Sequence, residues 1–263
     1  MRDKKTILLI KKTHFIYLLF LALIALAEIL TVYSNTQLGM VLHSFIFVFL
    51  LIYYSYIPIH SFTNQLKSSL LALALVPLIR IISLSMPLFN FELTYWFLII
   101  GIPLFISSFF VIRILNLKSN DIGLSWKNLG LNLIVSSSGL IFGYVEYLIL
   151  KPEPLISTLN LNEAIIPGLI ILIFTGFLEE LIFRGIIQNV AEKVFQNIAI
   201  IYTAALYAIL HIGNLSLLLI IFTFVVGIAF GLVVKKTGSI LGVALSHGII
   251  NILLYLIFPF ILE

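Results

Sequence analysis

Nine apolar runs, at 15–33, 38–59, 68–88, 92–112, 129–150, 165–187, 197–212, 215–234 and 239–259, fill most of this 263-residue chain. A helix crosses the hydrocarbon of a bilayer with about 20 mostly apolar residues, so runs of this length in series point to lipid as the solvent. The expected fold is an all-α polytopic membrane helical bundle of eight or nine transmembrane helices, eight if the short run 197–212 is discounted. Polar turn formers separate the runs: Ser34-Asn35-Thr36, Thr63-Asn64-Gln65, Ser119-Asn120-Asp121 and Lys235-Lys236-Thr237-Gly238. With 62% of residues apolar and 10% charged, the chain cannot wet the surface of a soluble globule of its size. The absence of cysteine excludes a disulfide scaffold, a thiolate metal site and a cysteine nucleophile. Lys and Arg cluster nowhere but at the N-terminus, which argues against a nucleic-acid partner.

The basic residues occupy alternate loops. Arg2, Lys4, Lys5, Lys11 and Lys12 precede the first run, and Lys67, then Arg113, Lys118 and Lys127, then Lys193, then Lys235 and Lys236 follow on the same side. The intervening loops hold Lys151 alone. Because Lys and Arg are retained in cytoplasmic loops, the N-terminus is expected inside and, with nine spans, the C-terminus outside. The N-terminus also has the form of a secretory signal with Ala25-Leu26-Ala27 as a cleavage site, but apolar sequence continues to Val32 and an uncleaved first span is expected. The mixed segment 116–128 is expected along the inner interface. No soluble domain or repeat is evident, so the whole chain reads as one continuous membrane domain.

Ionisable groups inside spans are costly and mark either helix pairing or function. Glu28, His43, Arg80 and Glu146 stand singly on different spans; pairing of Arg80 with Glu28 or Glu146 is the structural reading, and a substrate or ion path the functional one. The C-terminal half is patterned instead. Glu179 and Glu180 are adjacent, and Arg184 lies four residues after Glu180 on the same helix face, where it can hold that carboxylate ionised. Glu179 points about 100° away and stays free for chemistry. His211 follows Tyr207 by four residues, and His247 and Asn251 share a helix face at the same spacing. A carboxylate base, imidazoles and an amide donor are the parts needed to activate water and to steady an oxyanion. No serine or threonine in these groups has a base at helical spacing, which favours direct attack by water.

These residues resemble the CAAX protease and bacteriocin-processing (CPBP, or Abi) family of intramembrane endopeptidases. The resemblance covers about 165–256 as a catalytic core, with 1–150 as N-terminal transmembrane helices. It rests on Glu179-Glu180-x-x-x-Arg184-Gly185, the His211 motif, Gly227-x-x-x-Gly231, Thr237-Gly238-Ser239 and His247-x-x-x-Asn251. Tyr207 departs from the pattern, standing where the family usually has phenylalanine. The resemblance implies that Glu179 with His211 activates the hydrolytic water, that Glu180 and Arg184 support them, and that His247 with Asn251 stabilises the oxyanion. Gly227 and Gly231, on one face, permit close helix packing. A glutamate and two histidines also fit a three-ligand Zn2+ site with an open position for water; the metal-free reading uses the same side chains as base and donors, and no tightly bound zinc is preferred. Counted from the inner face, His211 lies deeper than His247, so a shared site requires the short seventh span to begin later or sit deeper.

The expected activity is hydrolysis of peptide bonds in membrane-associated peptides or proteins, within the cell membrane of what the composition suggests is a bacterium. The alternative within the same fold is a non-proteolytic bacteriocin self-immunity or scaffold protein. A solute transporter using Glu28, Arg80 and Glu146 is a third reading, weakened by the absence of paired broken helices.

Overall fold

A computed structural model of the protein describes residues 4–57, 64–88 and 91–262. Arg2, Thr63 and the side chains of Lys4, Lys5, Lys11 and Lys12 lie outside the described residues. Within them the chain forms α1 Lys4–Tyr33, α2 Thr36–Tyr56, α3 Asn64–Leu88, α4 Leu93–Ile114, α5 Leu129–Leu150, α6 Leu161–Phe195, α7 Ile198–Ile209, α8 Leu217–Thr237 and α9 Leu241–Ile261. Eight of these are long and apolar enough to cross a membrane. The exception is α7, about 18 Å long at 1.5 Å per residue, which is followed by a 3-10 turn, Ile212–Asn214. It nevertheless reverses the chain: it starts beside Asn197, whose side chain accepts from Lys235 at the far end of α8. The seventh apolar run is therefore a short helix antiparallel to α8, and the protein is a multi-pass membrane bundle.

Local chemistry accounts for the helix ends and breaks. Asn35 caps α2 by accepting from Gln37 N, and Ser216 caps α8 by accepting from Leu219 N. Pro77 has no N–H to offer the turn before it, and the ladder of α3 breaks at Ala74. Gly238, at φ 68°, ends α8 in the left-handed conformation that glycine adopts without strain.

Hydropathy placed the sixth run at 165–187, but α6 is a 35-residue helix. Its first turn is polar and capped: Asn160 accepts from Glu163 N, and the Glu163 carboxylate accepts from Thr158 N and Ser157 N. Its last turns carry Gln188, Asn189, Glu192 and Lys193. Apolarity stops at the edge of the hydrocarbon, whereas the helix runs on. Two stretches of α6, Leu172–Phe177 and Leu181–Gln188, are π-wound and flank the single α-turn that carries Glu179 and Glu180.

The segment expected along the inner interface is a series of turns docked on the bundle. Ile122 is buried, Gly123 O accepts from Ile240 N, Asp121 O accepts from the Asn189 amide, and Ser239 Oγ donates to Ser125 O. The Thr237-Gly238-Ser239 motif therefore ties the turn between α8 and α9 to this strap.

Burial identifies the centre. Of the span windows, 61% of α9 and 56% of α3 is buried inside the protein, against 22% for α2, α4 and α5, which face outwards. Glycines set the spacing of the central helices. A Cβ on Gly176 would lie 2.7 Å from Gly248 Cα and 2.8 Å from Ala244 O, so α6 and α9 touch backbone to backbone. Gly227 and Gly231 do for α8 what their spacing suggested, facing Ala204 and Ile200 of α7, and Gly231 O accepts from the Gln188 amide.

Because backbone cannot yield as a flexible side chain does, Gly176→Ala is expected to destabilise the protein by about 1–3 kcal/mol, the range for overpacking. Gly168→Ala, whose new methyl would meet only Leu256 Cδ1 at 3.8 Å, is expected to be neutral. Thermal denaturation in detergent that ranked the two variants equally would contradict this account.

Candidate active site

The α6–α9 contact brings the patterned polar residues together. Glu180 is buried at the seam. Its Oε1 accepts from Arg184 Nη1 at 2.9 Å, the pairing expected of i and i+4, and also lies 3.0 Å from His247 Nδ1. With an ionised carboxylate there, Nδ1 carries the proton and donates it, which leaves Nε2 facing the cavity. Nε2 lies 3.4 Å from the Tyr207 hydroxyl and 3.9 Å from Glu179 Oε2. The Glu179 side chain is 35% exposed, whereas those of Glu180 and Arg184 are each 1% exposed. The two adjacent carboxylates are thus divided as the sequence suggested, one locked in the helix seam and one open to the cavity.

Arg184 has a second function in the seam. Its guanidinium lies over the Tyr207 ring, 4.9 Å from the centroid, and Phe183 meets the same ring edge-on. The base of the tyrosine is clamped between a cation and an aromatic ring while its hydroxyl reaches His247. This hydroxyl, absent from the phenylalanine that the resemblance leads one to expect, joins the site directly. Its role was not legible from the sequence, where Tyr207 stood only as a departure from the family pattern.

His211 lies one turn beyond Tyr207, at the end of α7. Its Nδ1 is 3.0 Å from Tyr207 O, and its ring stacks obliquely on the tyrosine at 4.7 Å. α7 begins at Ile198, directly after the turn at 196–197, not later as expected, yet His211 and His247 line one cavity. Tyr207 fills the interval, in contact with both imidazoles. Asn251 is on the cavity wall, but its amide donates to Thr175 Oγ1 at 2.9 Å and not towards His247 Nε2.

These groups line a cavity of about 300 Å³. Glu179, Glu180, Arg184, Tyr207, His211, His247 and Asn251 all contribute to its wall, as do two residues from the N-terminal half, Arg80 and Glu146. Glu146 was read as an isolated charge. It comes from α5, which packs along α9 through Gly139 and Gly143, and no periodicity within one span reveals such a meeting. Arg80 does pair with Glu28, as one structural reading held, through Nε at 2.5 Å and Nη2 at 2.8 Å.

Residues 161–253 match the family model of type II CAAX prenyl endopeptidases, Rce1-like. No curated protein and no solved structure gives a significant match. The Rce1-like segment contains Glu179, Glu180, Arg184, Tyr207, His211, His247 and Asn251, and it excludes Arg80 and Glu146. Among the described residues no three His, Asp or Glu side chains are grouped as metal ligands. Within the Rce1-like segment Glu179 and His247 Nε2 are near enough to share an ion, whereas the Nδ1 atoms of both histidines are already engaged.

Removing one member of a buried ion pair leaves the other uncompensated and costs about 3–5 kcal/mol, whereas removing both costs much less. Glu180→Leu and Arg184→Leu are each expected to lower stability severely, and the double variant is expected to recover much of the loss. Additive losses in a double-mutant cycle of unfolding would show that the pair is not coupled.

Proposed function

We propose that this chain is an intramembrane endopeptidase that hydrolyses peptide bonds of membrane-associated peptides or proteins. One observation carries the reading: a cavity-facing carboxylate, Glu179, stands opposite an imidazole whose orientation is fixed from behind by a carboxylate and a guanidinium. The Rce1-like match supports the class of reaction.

In this mechanism Glu179 takes a proton from a water molecule, and the hydroxide oxygen bonds to the carbonyl carbon of the substrate. His211, with Nδ1 held by Tyr207 O, is assigned to positioning that water. The carbonyl oxygen becomes an oxyanion and accepts from the Tyr207 hydroxyl and from His247 Nε2 in its protonated form, whose Nδ1 donates to the Glu180 carboxylate. Glu179 then passes its proton to the departing amine as the C–N bond breaks, so one water is consumed and the carboxylate is regenerated. Glu180 and Arg184 act through His247 as positioning residues. Asn251 commits one of its two amide N–H groups to Thr175, whereas the Tyr207 hydroxyl stands beside His247 Nε2, so Tyr207 is taken as the second donor.

Glu179→Gln is expected to reduce peptide hydrolysis by about 10²–10⁴-fold, the usual contribution of a general base, with membrane insertion unchanged. Tyr207→Phe is expected to lower kcat by about 10²-fold, as for loss of one oxyanion donor, with little change in KM. Assays on reconstituted protein check both, and full biological activity in Glu179→Gln would favour the non-proteolytic alternative. The reading needs no tightly bound zinc: turnover is expected to survive exhaustive chelation, and loss that added Zn2+ restores would assign the metal to Glu179 and His247. The basic ends of α4, α6 and α8 are assigned to the cytoplasmic side; a cysteine at Lys236 labelled only from outside would reverse this.

A further inference from the structure

The Arg80 cluster lies outside the Rce1-like segment and is not used in the mechanism above. Glu28 and His43 are completely buried, with His43 Nε2 3.0 Å from Glu28 Oε1. Arg80 alone of the three reaches open space, its side chain 16% exposed, and that space is the cavity of Glu179 and His247. Arg80 also lies near enough to His211 to interact with it electrostatically.

The orientation of the guanidinium is informative. Arginine can grip a planar anion side-on, through Nε and one terminal nitrogen, or end-on, through both terminal nitrogens. Glu28 occupies the side-on edge, with Nε donating to Oε1 and Nη2 to Oε2. Nη1 makes one long contact, 3.4 Å, with Ser83 Oγ on the next turn of α3. Of five N–H groups, one on each terminal nitrogen has no partner among the described residues. With the side-on edge taken by Glu28, the end-on edge between Nη1 and Nη2 is the one left for a ligand. Glu28 fixes the plane of the fork from behind, and His43, fully buried, lies against the same carboxylate. A pair formed merely to neutralise Glu28 would have no need to present its free edge to a catalytic cavity.

We infer that Arg80 is a substrate-binding residue, whose end-on edge holds the C-terminal carboxylate of the bound peptide. This rests on the peptidase reading of the same cavity. The chemistry recognised is a planar or tetrahedral oxyanion, which a lipid phosphate also offers. The peptide carboxylate is chosen because Arg80 shares its cavity with Glu179, the residue read as cutting the peptide, with apolar side chains such as Ile79, Phe97 and Leu104 on the same wall. An apolar peptide that enters such a site brings one carboxylate whatever its sequence.

The test uses the full chain carrying Glu179→Gln, in phosphatidylcholine vesicles, with two fluorescent pools of hydrophobic heptapeptides that differ only in ending as free acid or amide. The free-acid pool is expected to bind about tenfold tighter, as one charge-assisted bidentate contact allows. Adding Glu28→Gln with Arg80→Gln removes both charges together and is expected to abolish the preference while leaving amide binding unchanged. Arg80→Lys, which keeps the charge without the fork, is expected to weaken the preference and serves if the doubly neutral variant fails to fold. Equal binding of the two pools, no binding of either, or a preference that survives loss of Arg80 would overturn the inference. So would a preference abolished by phosphatidylglycerol in the vesicles, since the fork would then be a headgroup site. Hydrolysis by the unmodified protein is measured in parallel: cleavage without the preference removes only the anchor, and the preference without cleavage removes only the peptidase reading.

Discussion

Glu180 Oε1 is the atom on which the arrangement turns. It accepts from Arg184 within its own helix and from His247 across a helix seam, so a single oxygen joins the charge balance of α6 to the orientation of an imidazole on α9. In hydrocarbon there is no solvent to share that task, and the interaction exists only if the two helices approach until their backbones touch. Gly176 and Gly248 permit that approach. Once it is made, the second nitrogen of His247 has one direction left, towards Glu179 and the Tyr207 hydroxyl, and the cavity acquires its chemistry from what was first a packing solution.

The parts of this protein legible in its sequence are those governed by one span at a time. Apolar runs gave the helix ends to within four residues, the start of α1 and the end of α6 excepted, and four-residue spacing gave the Glu180–Arg184 pair. What lay hidden depends on helices distant in the chain. His247 and Asn251 share a face, yet one bonds to Glu180 and the other to Thr175, a divergence fixed by which residues of α6 stand opposite. Glu146 and Arg80 looked isolated because their neighbours are more than thirty residues away. The extent of α6 was missed for another reason: its ends are polar, and hydropathy reports where lipid stops and not where hydrogen bonding does.

The family match covers 161–253, the segment that holds the α6–α9 seam. In α2, α4 and α5 most positions face outwards and need only be apolar, a requirement that many side chains meet equally well. In α6 and α9 a methyl group in the wrong place meets backbone, and a displaced carboxylate is stranded. Arg80 and Glu146 show that the N-terminal half also contributes to the cavity, through single residues that no extended motif accompanies.

The π-wound stretches on either side of Glu179 and Glu180 give the site a dependence on chain length. Each π turn holds more residues than an α-turn, so deleting one residue from 172–177 or 181–188 lets the helix rewind as ordinary α-helix without breaking it. The rewound helix would still be apolar and still span, and one residue fewer at the α pitch turns through nearly the angle that the π stretch covered, so what lies beyond would keep its phase, whereas deleting a residue from an α-wound part of α6 would turn it by about 100°. Two sequences with the same composition and the same motif residues can therefore differ in whether those residues face one another, and the phase of α6 is set by counting residues as much as by choosing them.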